Sequence, residues 1–428
     1  MNRICLFFLW LIAMTSRVFA ADSATNHHVI VITIDGCAAY LFNDPRSPIP
    51  NLRRIAEDGV VAKGMKVSNP SVTWPNHTTI VTGVSPVKHS VLYNGLMRPD
   101  QKNELRREPD RDKEDLVAVP TVYDFLHGKG FTTAAINWPC TRKAKTLDDN
   151  FPDVPEVLRY STPRLVKELV EGKILTSAKD ATFTDKTSPK RDEVWTEVAC
   201  HVLRVRQPNF MLFHLLLLDS TQHRYGPQSE EGYQALALID QHIGRLFEEL
   251  DKDGLRESTT VFITADHGFQ KVTKHIVASV ALRKAGLLET EDHSKKTRVQ
   301  VISEGGTLMV YFRDAKTREE DRKKVIELFK NQEGIDRIIE PKDFAKYGYP
   351  QPGNNPQMAD LVLSAKKDYG FSGLETGDES ILPTRAGGSG SHGFPADNPN
   401  MNAIFIASGR DIKHGKKNRH GGEHRHRS

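Results

Sequence analysis

The chain has 428 residues, 38% of them hydrophobic, and its 59 lysines and arginines outnumber 55 acidic residues for a formal net charge of +4. This length allows a large core, in one big domain with an insertion or in two domains. Four cysteines are too few for a disulfide scaffold, and the lack of any long apolar segment beyond the N-terminus argues against a membrane-spanning protein.

The N-terminus has the pattern of a secretory signal. Arg3 supplies a positive start, residues 4–14 form an apolar run too short to span a membrane, and Val18-Phe19-Ala20 is a small-residue exit. We therefore predict a signal peptide at residues 1–20 and a secreted or periplasmic mature chain without a transmembrane segment. The cysteines that remain in the mature chain are Cys37, Cys140 and Cys200. Two of them could form one disulfide bond.

The first predicted strand covers residues 28–34. These residues are β-branched and apolar on both faces, as in a buried parallel strand. The strand is followed by Asp35-Gly36, and ligands of open α/β sheets bind just beyond the carboxyl ends of the strands. Asp35 is therefore a candidate site residue. A short helix is predicted next, at residues 51–58.

The segment from Asn69 to Gly83 is predicted to be extended and then to turn into a short helix. Pro75 suits a first helical turn, and Gly83 suits the position after a helix end. Thr73 therefore lies about where the helix begins, where unpaired N–H groups and the helix dipole favour phosphate. A hydroxyl in this place is a candidate nucleophile, although a plain N-cap threonine is far commoner. Asn94 follows closely enough to fold back as an amide donor, although Asn-Gly is also a common turn.

The next stretch of the chain is predicted to alternate between polar loops and regular elements. The prediction comprises surface loops at residues 98–115 and 176–190, helices at 119–128, 163–171 and 192–205, and a strand at 131–137.

Two further strands are predicted to deliver acid and imidazole groups. The strand at residues 210–218 contains His214, interpreted as a satisfied core histidine, and leads to Asp219 and then His223. An Asp and a His one turn apart can hold a single divalent ion, and this pair suits zinc. After a long helix at residues 234–250, the strand at residues 259–264 leads into Asp266-His267. Three strands that end in such residues indicate a metal-dependent hydrolase or phosphotransfer site.

Residues 272–384 are predicted to be an inserted subdomain packed beside or over the site. Its predicted elements are a helix near residues 276–285, a strand at 308–312, a helix at 318–331 and a strand at 360–364. A flexible loop at residues 385–393 then presents His392, and residues 402–407 form a final strand of the main sheet. Residues 413–428 are predicted to be a disordered basic, His-rich tail. This tail carries six basic residues against one acidic residue, so the folded body has no charge surplus that would indicate nucleic-acid binding.

Together these motifs resemble those of the nucleotide pyrophosphatase/phosphodiesterase branch of the alkaline phosphatase superfamily. The resemblance runs from His28 to about Gly415 and is carried by Asp35-Gly36, Thr73-Trp74-Pro75-Asn76-His77 with Thr82-Gly83, Asp219 with His223 and Gly226-Pro227, Asp266-His267-Gly268, and His392-Gly393. It implies an α/β fold for residues 21–412, a three-layer αβα sandwich with a mostly parallel central sheet like that of alkaline phosphatase.

The resemblance also implies two zinc ions per chain, with other divalent metals as alternatives. By the family's pattern, one ion is expected on Asp35, Asp266 and His267 with the Thr73 oxygen. The other ion is expected on Asp219, His223 and His392. Thr73 is then the nucleophile of a phospho-threonine mechanism, and Asn94 places its amide on a phosphoryl oxygen. Metal coordination lowers the pKa of a bound hydroxyl by several units, which supplies the base that Thr73 otherwise lacks.

The implied substrate is a small-molecule phosphodiester, nucleotide or related phosphoryl compound. No arginine follows Thr73 closely, which favours diesters over monoesters. A phosphonate C–P hydrolase and a phosphomonoesterase of the same superfamily remain alternatives. A sulfatase is disfavoured because no cysteine stands in a Cys-x-Pro-x-Arg pattern, and a non-catalytic metal-binding protein is disfavoured because every ligand and the nucleophile are present. One departure from the family is Ser90, which stands where glycine is usual.

Overall fold

The computed structural model describes residues 26–100, 104–180, 183, 189–289 and 297–413. The signal peptide predicted at residues 1–20 lies outside this part of the chain, as does the predicted tail apart from Lys413. No helix in the described ranges combines the length and the apolar character that a membrane crossing needs.

A seven-stranded sheet forms the centre of the described structure. Its strands, numbered along the chain and given in spatial order, are β2 (Gly59–Val61), β17 (Phe405–Gly409), β8 (Thr259–Thr264), β1 (His28–Ile34), β7 (Phe210–Leu215), β5 (Thr133–Ile136) and β6 (Asp149–Phe151). Strands β8, β1, β7, β5 and β6 are parallel to one another, whereas β17 runs antiparallel to both of its neighbours. The predicted buried parallel strand at residues 28–34 is confirmed with its bounds.

Helices cover both faces of this sheet because alternate residues of its strands point to opposite sides. The helices are α1 (Ala39–Asn43), α2 (Pro50–Glu57), α3 (Thr73–Thr82), α4 (Pro86–His89), α5 (Lys113–Leu116), α6 (Val122–His127), α7 (Val157–Tyr160), α8 (Pro163–Glu171), α9 (Pro189–Arg206), α10 (Leu217–Tyr225), α11 (Glu230–Lys252), α12 (Ala278–Lys284), α13 (Arg318–Lys330) and α14 (Pro341–Tyr347). Ile30 and Ile32 of β1 pack in one core cluster with residues of α2, α9 and α11, while Val29 and Val31 pack against α3 and α6. The predicted three-layer αβα arrangement with a mostly parallel central sheet is confirmed.

The chain after β8 forms two smaller sheets. One has four antiparallel strands, in the order β10 (Val299–Ser303), β11 (Thr307–Phe312), β13 (Leu361–Ala365) and β12 (Ile335–Ile339). The other is built on β9 (Gln270–Ile276), which pairs with β14 (Asp368–Phe371), β15 (Ile381–Pro383) and β16 (Ser389–Ser391). This α+β region spans the residues for which an inserted subdomain is predicted.

Three local predictions are wrong. The strand predicted to reach residue 218 stops at Leu215, and the helix α10 follows within two residues, so Asp219 lies in a first helical turn. The predicted loop at residues 98–115 contains a hairpin of β3 (Leu96–Pro99) and β4 (Leu105–Glu108) and the short helix α5. The loop predicted to present His392 flexibly is pinned by β16, which pairs with β9 just before that histidine.

The described cysteines Cys37, Cys140 and Cys200 are buried and free, so the disulfide that the sequence leaves open is not formed. Burial raises the pKa of the Cys37 thiol to about 12, with a further contribution from Asp266. Cys37 is therefore a packed thiol beside the site and not a thiolate nucleophile.

Candidate metal centre and active site

The candidate site lies at the carboxyl edge of three adjacent strands. Asp35 follows β1, Asp266 and His267 follow β8, and Asp219 lies in the helix that follows β7. Since β8, β1 and β7 are parallel neighbours, their carboxyl ends meet at one edge of the sheet. Residues far apart in the sequence therefore converge without any long loop.

The first group of candidate ligands is Asp35, Asp266 and His267, whose ligand atoms all lie within 4.8 Å of one another. The His267 Nε2 lies 3.2 Å from Asp266 Oδ2 and 3.4 Å from Asp35 Oδ1. All three side chains are buried. The backbone N–H of Gly36 donates to Asp266 Oδ1 over 3.2 Å, which fixes the second carboxylate oxygen.

Gly36 itself has a backbone reason to be glycine. Its φ is +69°, and a Cβ there would lie 2.8 Å from the Phe269 ring. A side chain at residue 36 would therefore both strain the backbone and push the two ligand-bearing segments apart.

The second group is Asp219, His223 and His392, and it satisfies the same 4.8 Å criterion. The Asp219 Oδ1 lies 3.4 Å from His223 Nε2 and 3.8 Å from His392 Nε2. This group is more open than the first, since the His223 side chain is 43% exposed. The two groups adjoin, because the His267 and His392 rings stack with centroids 3.8 Å apart. The structure thus places the six predicted ligands in the two sets that the resemblance implies.

All three histidines of these groups are oriented by a backbone carbonyl. The Nδ1 of His267 lies 3.1 Å from Gly268 O, that of His223 lies 3.2 Å from Gly390 O, and that of His392 lies 3.2 Å from Ser71 O. A carbonyl can only accept, so each Nδ1 carries the proton and donates it. Each Nε2 then keeps its lone pair for a cation, as ligating histidines do.

His392 is also held through its neighbours. The backbone N–H of Gly393 donates to Ser71 O over 3.0 Å, and the His392 carbonyl accepts from Gly306 N–H over 2.8 Å. Gly393 has a φ of +78°, and a Cβ there would meet the Glu304 carbonyl oxygen at 1.6 Å. The turn between β10 and β11 therefore helps to fix the position of His392.

Buried ligand atoms without hydrogen-bond partners indicate whether a cation fits the two groups. Among the described residues, four buried ligand atoms have no hydrogen-bond partner: Asp35 Oδ1, Asp219 Oδ1, Asp266 Oδ2 and His267 Nε2. None of the described lysines or arginines forms an ion pair with these carboxylates. Leaving several buried polar atoms unpaired is costly, and divalent cations satisfy such a mixed carboxylate and imidazole set. The residues present therefore fit two metal ions.

The electrostatics of the site without metal ions point the same way. Burial raises the pKa of Asp35 well above its usual value, and the neighbouring Asp266 and Asp219 raise it further. Burial also raises the pKa of Asp219 to about 6. Burial lowers the pKa of His267 to about 3, so its imidazole is neutral at physiological pH. A cation bound among these clustered carboxylates would favour their ionised form.

Thr73 is the first residue of α3, and its backbone is tied to both groups. Its carbonyl accepts a 2.9 Å hydrogen bond from His77 Nδ1, and the same nitrogen lies 3.8 Å from Asp266 Oδ2. Ser71, two residues earlier, accepts from His392 of the second group. The predicted helix start and the predicted stop at Gly83 agree with the structure, where Gly83 is the left-handed residue after the last turn.

Asn94 folds back onto the start of α3, as expected from the sequence. Its Oδ1 accepts from the backbone N–H of Trp74 over 2.8 Å. This bond satisfies one of the free N–H groups of the first helical turn and fixes the amide plane. This bond uses the acceptor of the amide and leaves its Nδ2 group as a donor.

Two residues that support the site were not recognised as such from the sequence. His214 Nε2 lies 3.1 Å from Asp35 Oδ2, and its Nδ1 lies 3.0 Å from Asn137 O. It is a satisfied core histidine, as interpreted, but one that contacts a predicted ligand directly. His77 Nε2 lies 2.8 Å from Thr33 Oγ1. The available signal was polarity, because His214 is a histidine in an otherwise apolar buried strand.

The comparisons with known proteins agree with this geometry. The family model described as type I phosphodiesterase/nucleotide pyrophosphatase matches residues 29–395. Ectonucleotide pyrophosphatase/phosphodiesterase family member 3 of Bos taurus is 25% identical over 244 residues, which are 57% of this chain and 25% of that protein. The venom phosphodiesterase of Macrovipera lebetinus is 23% identical over 246 residues, 57% of this chain and 26% of the enzyme. The chain spans about a quarter of the length of the curated relatives it matches.

A solved structure with the same fold is that of murine ectonucleotide pyrophosphatase/phosphodiesterase 5, in an inactive threonine-to-alanine variant in complex with AMP. The TM-score is 0.66 at 17% identity, and the match covers 90% of this chain and 88% of that one. At this identity the likeness shows a common fold.

Proposed function

The chain belongs to the type I phosphodiesterase/nucleotide pyrophosphatase family, and we propose that it is an exported, zinc-dependent hydrolase of phosphoric diesters and nucleotide pyrophosphates. The main supporting observation is that two groups of carboxylates and imidazoles converge near the start of the helix that Thr73 begins. The names of the relatives alone would not support the proposal, because this chain matches only about a quarter of their length.

In the proposed mechanism Thr73 is the nucleophile. Metal ions held by the two groups supply the positive charge that ionises a hydroxyl and stabilises the oxyanions of the transition state. The Thr73 Oγ attacks phosphorus in line with the leaving oxygen, so the new bond is Oγ–P and the broken bond joins phosphorus to the leaving group. The departing oxygen takes up a proton in place of the one that Thr73 lost. Water then adds to phosphorus, the Oγ–P bond breaks, the phosphoric monoester leaves and a proton of that water restores the Thr73 hydroxyl.

The chain's other residues hold this reaction in place. Asn94 Oδ1 is committed to Trp74 N–H, so its Nδ2 donates to a non-bridging phosphoryl oxygen. The carbonyls of Gly268, Gly390 and Ser71 accept from the Nδ1–H groups of the ligand imidazoles, which fixes the tautomer and aims each Nε2 at the site. Preorganised donors of this kind act without any rearrangement at the moment of reaction.

The choice of metal, substrate and compartment follows from separate observations. A carboxylate and imidazole set of three ligands per group favours zinc. The AMP in the structural relative supports a nucleotide substrate. The signal pattern at residues 1–20 supports export to the periplasm or the medium.

The test compares wild type with Thr73→Ala and Thr73→Ser after loading with zinc. Bis-p-nitrophenyl phosphate, p-nitrophenyl phosphate and a nucleotide pyrophosphate serve as substrates, each with and without a chelator. We expect diester turnover that the chelator abolishes, a loss of at least about 1,000-fold in Thr73→Ala, and partial activity in Thr73→Ser. Near-full turnover of Thr73→Ala with both metals bound would refute the covalent mechanism.

A further inference from the structure

Helix α10, which carries Asp219 and His223, has no capping side chain of its own. It begins directly after β7, and its N-cap residue is Leu216, whose apolar side chain makes no capping hydrogen bond. A helix start leaves free N–H groups, and in a buried place such groups need partners. The partner here comes from another helix.

That partner is Asp192, which lies in the first turn of α9 and is only 1% exposed. Its Oδ1 accepts from Leu216 N–H over 3.1 Å, and its Oδ2 accepts from Leu217 N–H over 3.1 Å. One carboxylate thus caps two successive N–H groups from a distance in the sequence. Its negative charge also faces the positive end of the helix dipole.

The capped turn is the one that orients the second group of ligands. Asp219 is the third residue of α10, and His223 follows one turn later on the same face. The carboxylate direction of Asp219 therefore depends on the backbone that Asp192 holds. The ligands of the first group follow β1 and β8 and do not belong to α10.

We infer that Asp192 is a positioning residue for the metal ion of the second group, acting through the first turn of α10. The inference rests on the proposed function, because it requires that Asp219, His223 and His392 bind a metal ion. The effect is largest for this group, because Asp219 and His223 lie on the helix that Asp192 caps. The first group is affected less, through the Leu215 carbonyl, which accepts from Asp35 N–H over 2.9 Å.

The chain offers a matched control in Asp240. This carboxylate is also 1% exposed, and it caps α2 by accepting from Leu52 N–H over 2.8 Å and Asn51 N–H over 3.0 Å. Helix α2 also begins after an apolar N-cap residue, Ile49, that makes no capping bond. Helix α2 carries none of the predicted site residues. Loss of this cap therefore measures what a purely structural cap contributes.

The experiment titrates the full metal-depleted chain with divalent cobalt and follows the visible absorption of the bound ion together with thermal unfolding. The variants are Asp192→Ala, Asp192→Asn and Asp240→Ala, and His223→Ala and His267→Ala assign each titration step to its group. We expect Asp192→Ala to weaken the second-group step by about 10- to 100-fold and the first-group step by a clearly smaller factor. Asp192→Asn keeps one acceptor oxygen and should lie between wild type and Asp192→Ala.

Asp240→Ala should lower the melting temperature without changing either cobalt step. Unchanged second-group affinity in the Asp192 variants would overturn the inference, and so would an equal loss in Asp240→Ala. If Asp192→Ala does not fold, Asp192→Asn decides the matter by the same comparison. Failure of the proposed function is distinguishable, because wild type itself would then fail to bind two ions or to hydrolyse diesters.

Discussion

The side chain of Asn94 accepts a hydrogen bond from the backbone N–H of Trp74 over 2.8 Å, at the first turn of the helix that begins with Thr73. Asn94→Asp keeps an acceptor for this N–H group but replaces the amide donor with a negative charge. We expect its diester turnover to fall by about 100- to 1,000-fold with little change in melting temperature. Steady-state kinetics and thermal unfolding of the zinc-loaded variant check both parts. Turnover within a few-fold of wild type would remove Asn94 from the phosphoryl site.

Removal of the metal ions should destabilise the folded chain. Asp35, Asp219 and Asp266 leave buried oxygen atoms without partners in the described structure, and bound cations would satisfy these atoms and relieve the repulsion between the carboxylates. We expect a chelator to lower the melting temperature and zinc to restore it, since a ligand that binds only the folded state stabilises it. Differential scanning calorimetry measures the shift. A melting temperature independent of chelator and zinc would contradict the two-ion assignment.

Acid should destabilise the chain through His89 as well as through loss of metal. Its Nδ1 accepts from Val91 N–H over 3.2 Å, and burial lowers its pKa to about 4. A folded pKa below the unfolded value of about 6.5 gives stability that is present above pH 6.5 and lost as the pH falls towards 4. His89→Asn keeps an acceptor but does not titrate.

Between pH 7 and pH 5, the free energy of unfolding of His89→Asn should therefore fall by up to about 2 kcal/mol less than that of wild type. Urea unfolding of both proteins in chelator at the two pH values measures this difference and removes the contribution of metal binding. Equal losses in the two proteins would show that His89 is not the titrating group.

Ser90 should be a site where glycine stabilises the fold. Ser90 lies just after α4 with a φ of 70°, in the left-handed region that favours glycine. Ser90→Gly should raise the free energy of unfolding by about 1 kcal/mol, and Ser90→Ala, which keeps a Cβ, should bring no such gain. Chemical unfolding of the three proteins tests this ranking. A less stable Ser90→Gly than Ser90→Ala would show that the left-handed backbone is not what limits stability there.

The central strands and the candidate ligands that follow them could be predicted from local signals, whereas the division of the ligands into two sets came from the family resemblance. A run such as residues 28–34 is apolar on both faces, and Asp266-His267 follows a strand of the same kind. The sequence did not predict that Asp219 lies in a helix, because Leu216, Leu217 and Leu218 continue the apolar run of β7 without a break in pattern. Helix and strand cannot be separated within so short an apolar run.

Local sequence patterns also could not predict that the segment around His392 is held in place. A stretch with several glycines and serines reads as a flexible loop, yet β16 pairs with β9, and Ser71 accepts from both His392 and Gly393. The contacts of His214 with Asp35 and of Asp192 with α10 also depend on which strands become neighbours. Such contacts are set by tertiary packing, and the neighbouring residues in the sequence do not predict them.

The placement of the two ligand groups along the chain has a consequence for biosynthesis. The first group is complete once His267 has been made, whereas the second lacks its last member until His392 emerges from the ribosome. A nascent chain that ends between these two points holds every candidate ligand of the first group but only two of the second. The second group can therefore assemble only after the residues of the two smaller sheets have been made.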